Sequence, residues 1–189
     1  MVRFFVFHNL FAFLGLLYTG NPALACTHNI LISEGKPGVH NIVITKNVKS
    51  DIDTVWQTLT DYPSLSHFVR RMKRSSLITR NKSKKLVEQI GVIRFLLFKR
   101  EFKVLLVVEE KYPLAIEMTQ IEGDFEYFQS KYHIDKKSND SVRLTWRGQL
   151  HPSFFVPPII GRKMIETNIK NQFCDVVLEI LARTQNEEK

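Results

Sequence analysis

Two cysteines in 189 residues are too few to staple a fold, and they form no C-x-x-C pair. This excludes a disulfide framework, a thioredoxin-like redox motif and a cysteine-built zinc site. The chain also has no Gly-rich phosphate loop and no G-x-S-x-G elbow, the signatures of nucleotide binding and of serine hydrolysis. Histidines are few. Beyond residue 25 they are His28, His40, His67, His133 and His151, and no two stand at the spacing of a helical metal pair. The residues nominate no catalytic set, no metal site and no cofactor. With only 8 glycines and 7 prolines, the chain is neither collagen-like nor low-complexity. Acidic residues are in deficit, and the net charge is +8. A basic surface suits anionic lipid, nucleic acid or an acidic protein without choosing among them.

Long apolar runs occur at the N-terminus alone. Arg3 supplies a positive start, and Phe4 to Phe7 and Leu10 to Leu17 form an apolar stretch broken by His8 and Asn9. Tyr18, Gly20, Asn21 and Pro22 then interrupt it before Ala23-Leu24-Ala25. The pattern is that of a bacterial secretory signal peptide over residues 1–25, with an uncleaved anchor as the alternative. Export implies the periplasm, which argues against nucleic acid as a partner. Cleavage after Ala25 leaves Cys26 first. Two readings of Cys26 stay open: lipoprotein anchoring, against which Ala23 and Leu24 stand in the wrong order, and a disulfide with Cys174.

The rest is ordinary globular composition, 44% hydrophobic and 24% charged. Residues 26–39, with Ser33, Gly35, Pro37 and Gly38, read as a loose lead-in. A domain follows over 40–185, and a polar tail over 186–189. Asn41 to Val48 is expected to be a strand. A helix begins at Ser50 or Asp51, either of which can cap it, and buries Val55, Trp56 and Leu59. Asp61-Tyr62-Pro63 ends that helix and opens a second, short one through Phe68.

Alternation then predicts six strands: Ser75 to Arg80, Leu86 to Phe95, Phe98 to Glu110, Leu114 to Thr119, Phe125 to Ile134 and Val142 to Leu150. The last strand is the cleanest, with Arg143, Thr145, Arg147 and Gln149 facing water. A long helix from about Pro158 to Arg183 carries Ile165, Ile169, Phe173, Val176, Val177 and Ile180 as its apolar stripe. Hairpin-length connections imply an antiparallel sheet, and that helix is the one element long enough to cover it. The fold class is α+β: a curved antiparallel sheet of about seven strands, in the order β-α-α-β6-α, wrapped around a long C-terminal helix.

Order and wording together resemble the START-like superfamily, in particular the polyketide cyclase/dehydrase and coenzyme Q-binding proteins. The carriers are V-W-Q-T-L-T-D-Y-P-S-L-S-H-F-V (Val55 to Val69), V-E-Q-I-G (Val87 to Gly91), E-G-D-F (Glu122 to Phe125) and V-P-P-I-I-G (Val156 to Gly161). The resemblance implies a deep apolar pocket between sheet and long helix that holds a lipid, an isoprenoid quinone or a polyketide-like molecule. It implies no shared catalytic motif, although a few relatives are cyclases. Some intracellular relatives associate with ribosomes, and the export signal departs from them.

Candidate ligand contacts follow. Tyr62 and Phe68 sit at the gap between the two short helices. Met72, Phe95, Leu105, Val107, Met118, Phe128, Tyr132 and Trp146 either line a pocket or fill a plain core. Phe125 and Phe128 differ in strand parity, so both face one side only if a bulge lies between them. On the long helix, Ile160, Met164, Ile165, Ile169 and Phe173 can close the space. The Asn168 amide can bond a ligand oxygen, or it can lie at a wet boundary. An enzyme reading requires His67 and His133 to face the pocket as acid and base. A basic cluster (Arg70, Arg71, Lys73, Arg74, Arg80, Lys82, Lys84, Lys85, Lys99, Arg100 and Lys103) can dock on an anionic membrane surface or simply solvate the sheet.

Overall fold

The computed structural model describes residues 29–36, 38–80, 84–156 and 159–187. The leader over 1–25, Cys26 and Lys82 lie outside the described residues.

Eight antiparallel strands form one sheet: β1 (Asn29–Glu34), β2 (His40–Val48), β3 (Met72–Arg80), β4 (Lys84–Phe95), β5 (Phe98–Lys111), β6 (Ala115–Gly123), β7 (Phe125–Ser138) and β8 (Ser141–Pro152). Their spatial order is β1-β2-β8-β7-β6-β5-β4-β3. Three helices complete the fold: α1 (Ile52–Thr60), the four-residue α2 (Leu65–Phe68) entered through a 3-10 turn (Tyr62–Ser64), and α3 (Gly161–Glu187). The expected helix-grip fold is present, with one strand more than expected.

The added strand is β1. Residues 29–34 pair with β2 from Asn29↔Thr45 to Glu34↔His40. Ile30 and Ile32 pack on the core while Leu31 is exposed. The glycines that suggested a loose lead-in make the β1–β2 connection, where Val39 N–H donates to the Lys36 carbonyl. An edge strand of three apolar residues carries too short an alternation to stand out from that turn signal. At the other end, α3 continues to Glu187, into the stretch read as tail.

Local chemistry sets the joints. Asp51 caps α1, its Oδ1 accepting from the amides of Asp53 and Thr54 at 2.8 and 2.9 Å. Ser50 instead bonds Thr184 Oγ1 at 2.7 Å, which ties the start of α1 to the end of α3. Asp61 makes no cap to the short helical segment that follows. It pairs with Arg183 of α3 at 3.1 Å.

Alternation along the strands separates two faces. Ile42, Ile44, Val104, Leu106, Ile134, Leu144 and Leu150 are buried on the concave side, beneath α3. Arg143, Arg147 and Gln149 of β8 are exposed, as expected, whereas Thr145 on the same face is buried, its hydroxyl 3.2 Å from that of Thr45 on β2. α3 buries Ile165, Phe173, Val176, Val177 and Ile180 onto the sheet. At roughly 25 cal/mol per Å² of apolar surface, this contact is the main force holding sheet and helix together.

A cavity between the sheet and the long helix

A cavity of about 150 Å³ lies between the sheet and α3. That is roughly ten times the least space a single water needs. Its floor comes from alternate residues of neighbouring strands: Gln89, Gly91 and Ile93 of β4; Phe102, Val104 and Leu106 of β5; Ile116 and Met118 of β6; Ser130 and Tyr132 of β7. Leu59, Tyr62, Leu65 and Val69 close one end, and Met164, Ile165, Asn168, Ile169 and Phe173 form the roof.

Two glycines help keep the floor open. At Gly148 an added Cβ would collide with the indole of Trp146, and at Gly91 with the ring of Phe102. Each aromatic ring therefore lies over bare backbone two residues away or on the adjacent strand, since Gly91 is the register partner of Phe102. A side chain there would push a bulky ring from the floor.

Twelve of the expected contacts are brought together here: Tyr62, Met72, Met118, Phe125, Phe128, Tyr132, Trp146, Met164, Ile165, Asn168, Ile169 and Phe173. Five are not, and one of these is Ile160, which precedes α3 and does not line the cavity. Leu105 and Val107 belong to the opposite parity of β5 and face outward, opposite Glu88 and Leu86 in register. A fully apolar strand end does not reveal which face is inner. Phe95 is half-buried at the β4–β5 turn, where Leu96 adopts φ 51°. Phe68 packs between α2 and α3 with the Arg183 guanidinium 5.6 Å from its ring centre.

Phe125 and Phe128 both line the cavity, with ring centres 5.6 Å apart. The pairing of β7 with β8 shifts register between Phe125 and Tyr127, the bulge that their parity demanded.

Asn168 is neither a free ligand contact nor a wet boundary residue. It is 3% exposed. Its Oδ1 accepts from the Arg94 amide at 3.1 Å and from Arg71 Nη1, and its Nδ2 donates to the carbonyls of Met164 at 2.7 Å and Arg94 at 3.2 Å. Arg71 Nη1 also donates to the Arg94 carbonyl at 3.0 Å. A long-range partner of this kind leaves no mark in the local sequence, and Arg71, a lining residue, was read only as part of a surface cluster.

The Tyr62 ring lines the cavity, but its hydroxyl is committed. It donates to Glu110 Oε1 at 2.6 Å, and Lys85 stands over the ring at 5.4 Å. Burial, and then the bond to Glu110, push its ionisation far above the ordinary tyrosine range. His67 is exposed, and His133 pairs with Asp135 at 2.9 Å. Neither lines the cavity. Among the described residues no cluster of His, Cys, Asp or Glu could hold a metal ion.

The basic cluster is interleaved with acids. Arg70 pairs with buried Asp175 at 2.6 Å, Lys84 with Glu109 at 2.9 Å, and Lys73 with Glu101. Arg74 and Lys103 share Glu88. These acids offset part of the positive field expected of so many cations.

The family model for polyketide cyclase / dehydrase and lipid transport matches residues 48–176, most of the chain. The chain belongs to this family. No curated protein matches it significantly in sequence. Among solved structures it is similar to the Zhui aromatase/cyclase from Streptomyces sp. R1128 (10% identity, TM-score 0.67, covering 80% of this chain and 96% of that one). It is also similar to a START superfamily protein from Mycobacterium smegmatis (15%, 0.61, 77% and 97%) and to human STARD10 (12%, 0.61, 84% and 76%). At such identities the likeness shows the fold. The family brings hydrophobic ligands and lipids with it. Among the described residues, no helix is long and apolar enough to cross a membrane.

Proposed function

We propose that this chain is an exported binding or carrier protein that holds a hydrophobic ligand, such as a lipid, an isoprenoid quinone or a polyketide-like molecule, between its sheet and α3. The observation that carries the reading is the cavity wall. It is built almost wholly of aliphatic, aromatic and methionine side chains, and Arg71 is the one charged residue among the described lining. Entry of an apolar molecule removes its surface and that of the wall from water, a gain of roughly 25 cal/mol per Å².

The described lining offers continuous apolar contact and holds neither a histidine nor a carboxylate. Support for export comes from the N-terminal pattern and from Cys174, which is disulfide-bonded. The other cysteine of the chain is Cys26. Such bonds persist in oxidising compartments.

The test is titration with N-phenyl-1-naphthylamine, which fluoresces in apolar surroundings. Saturable binding is expected in the native protein. Met118→Trp, which fills the floor, is expected to weaken it by at least tenfold while leaving the thermal transition cooperative. Binding that ignores this substitution places the probe elsewhere and removes the support for the cavity.

A further inference from the structure

We propose that the cavity selects its ligand through an uncharged carbonyl oxygen, which accepts hydrogen bonds from the hydroxyls of Ser130 and Tyr132 on β7. This rests on the binding role proposed above and adds the polar contact that would fix the ligand's orientation.

Ser130 is 4% exposed, and its Oγ has no hydrogen-bond partner. Tyr132 makes no hydrogen bond to any described residue, and burial alone drives its ionisation far above the ordinary range, so it remains a neutral donor. Both line the cavity. They stand two residues apart on one strand, so they share a face with Cα atoms about 7 Å apart.

Their neighbours in register cannot satisfy them. Ser130 lies between Met118 and Gly148, and Tyr132 between Ile116 and Trp146. None of these four side chains carries an oxygen. Buried hydroxyls are normally paired, and an unpaired one on a cavity wall calls for a partner that enters the cavity.

The remaining polar lining narrows the choice of partner. Asn168 is occupied by Arg94 and Met164, and Tyr62 by Glu110. Arg71 directs Nη1 to Asn168 and the Arg94 carbonyl. Gln89 and Gln172 are only half-buried. A charged ligand group placed against Ser130 and Tyr132 would be desolvated without a counter-charge beside it. A carbonyl satisfies both hydroxyls, because it accepts with two lone pairs and brings no charge. Its hydrocarbon then rests on Met118, Phe128 and Trp146.

Headspace partitioning of 2-undecanone and n-undecane reads both probes without a label. The native protein is expected to bind the ketone more tightly than the alkane. Ser130→Ala and Tyr132→Phe should each weaken the ketone by roughly threefold to tenfold, the usual worth of one hydrogen bond, and leave the alkane unchanged. Equal affinity for the two probes in the native protein, or equal losses for both in the variants, would overturn the carbonyl site while leaving the apolar cavity intact. Binding of neither probe would remove both.

Discussion

Asn168, in the middle of the buried face of α3, grips both the amide and the carbonyl of Arg94 at the end of β4, at 3.1 and 3.2 Å. One side chain thus holds the helix to the far strand across the cavity roof, and Arg71 braces the same junction from β3. A roof held by directional bonds does not need to collapse onto the floor to be stable. In this way the protein can keep a space that packing alone would tend to close.

Asn168→Leu is nearly equal in volume but cannot make these bonds. It leaves the Arg94 amide without its partner, at about 1–3 kcal/mol for a group left unsatisfied, and removes one of the two donors to the Arg94 carbonyl, the other being Arg71. A loss of roughly 2–4 kcal/mol in urea unfolding is expected. A change below 0.5 kcal/mol would show that the clamp contributes little.

Gly148→Ala tests the floor. The added methyl collides with the Trp146 indole, which must move. The expected outcome is a shift in tryptophan emission, a stability loss of about 1–3 kcal/mol, and weaker uptake of apolar probes. An unchanged emission spectrum would mean that the indole does not depend on the bare backbone beneath it.

Much of the design was legible from alternation. Trp146 and Leu150 share the inner face of β8, because period two needs no tertiary knowledge. The α3 stripe was equally plain. What local pattern could not reveal was pairing at a distance: Asn168 with Arg94, Asp61 with Arg183, and the acids that interleave with the basic cluster. Leu105 and Val107 escaped for a related reason. Where both faces of a strand end are apolar, only the partner strands Glu88 and Glu122, opposite Leu105, mark the outer one. The partnerless hydroxyl of Ser130 was invisible too, since want of a partner is a property of three dimensions.

Acid should loosen the start of α1. Burial raises the Asp51 pKa, but the hydrogen bonds from Thr54 and Asp53 outweigh it, and the carboxyl lies below its ordinary value of 3.8. A depressed folded pKa means that the stabilisation is fully present well above pH 3.8 and fades as pH falls through that value. Asp51→Ala should cost about 1 kcal/mol at pH 7. Native protein and variant should converge in stability as pH falls through the lowered folded-state value. A gap that stays constant as pH falls would assign the cap to something other than the ionised carboxylate.

Cys174 is disulfide-bonded, and Cys26 is the other cysteine in the chain. The intact mass of the chain is therefore expected to rise by two hydrogens on reduction. A mass that reduction leaves unchanged would contradict the disulfide at Cys174.

The most direct measurement is native mass spectrometry of the protein purified without detergent. The expected spectrum shows one apolar molecule per chain, lost on extraction into organic solvent and absent from Met118→Trp. A spectrum of the bare chain alone, from protein that also fails to take up N-phenyl-1-naphthylamine, would contradict a ligand-holding cavity beneath α3.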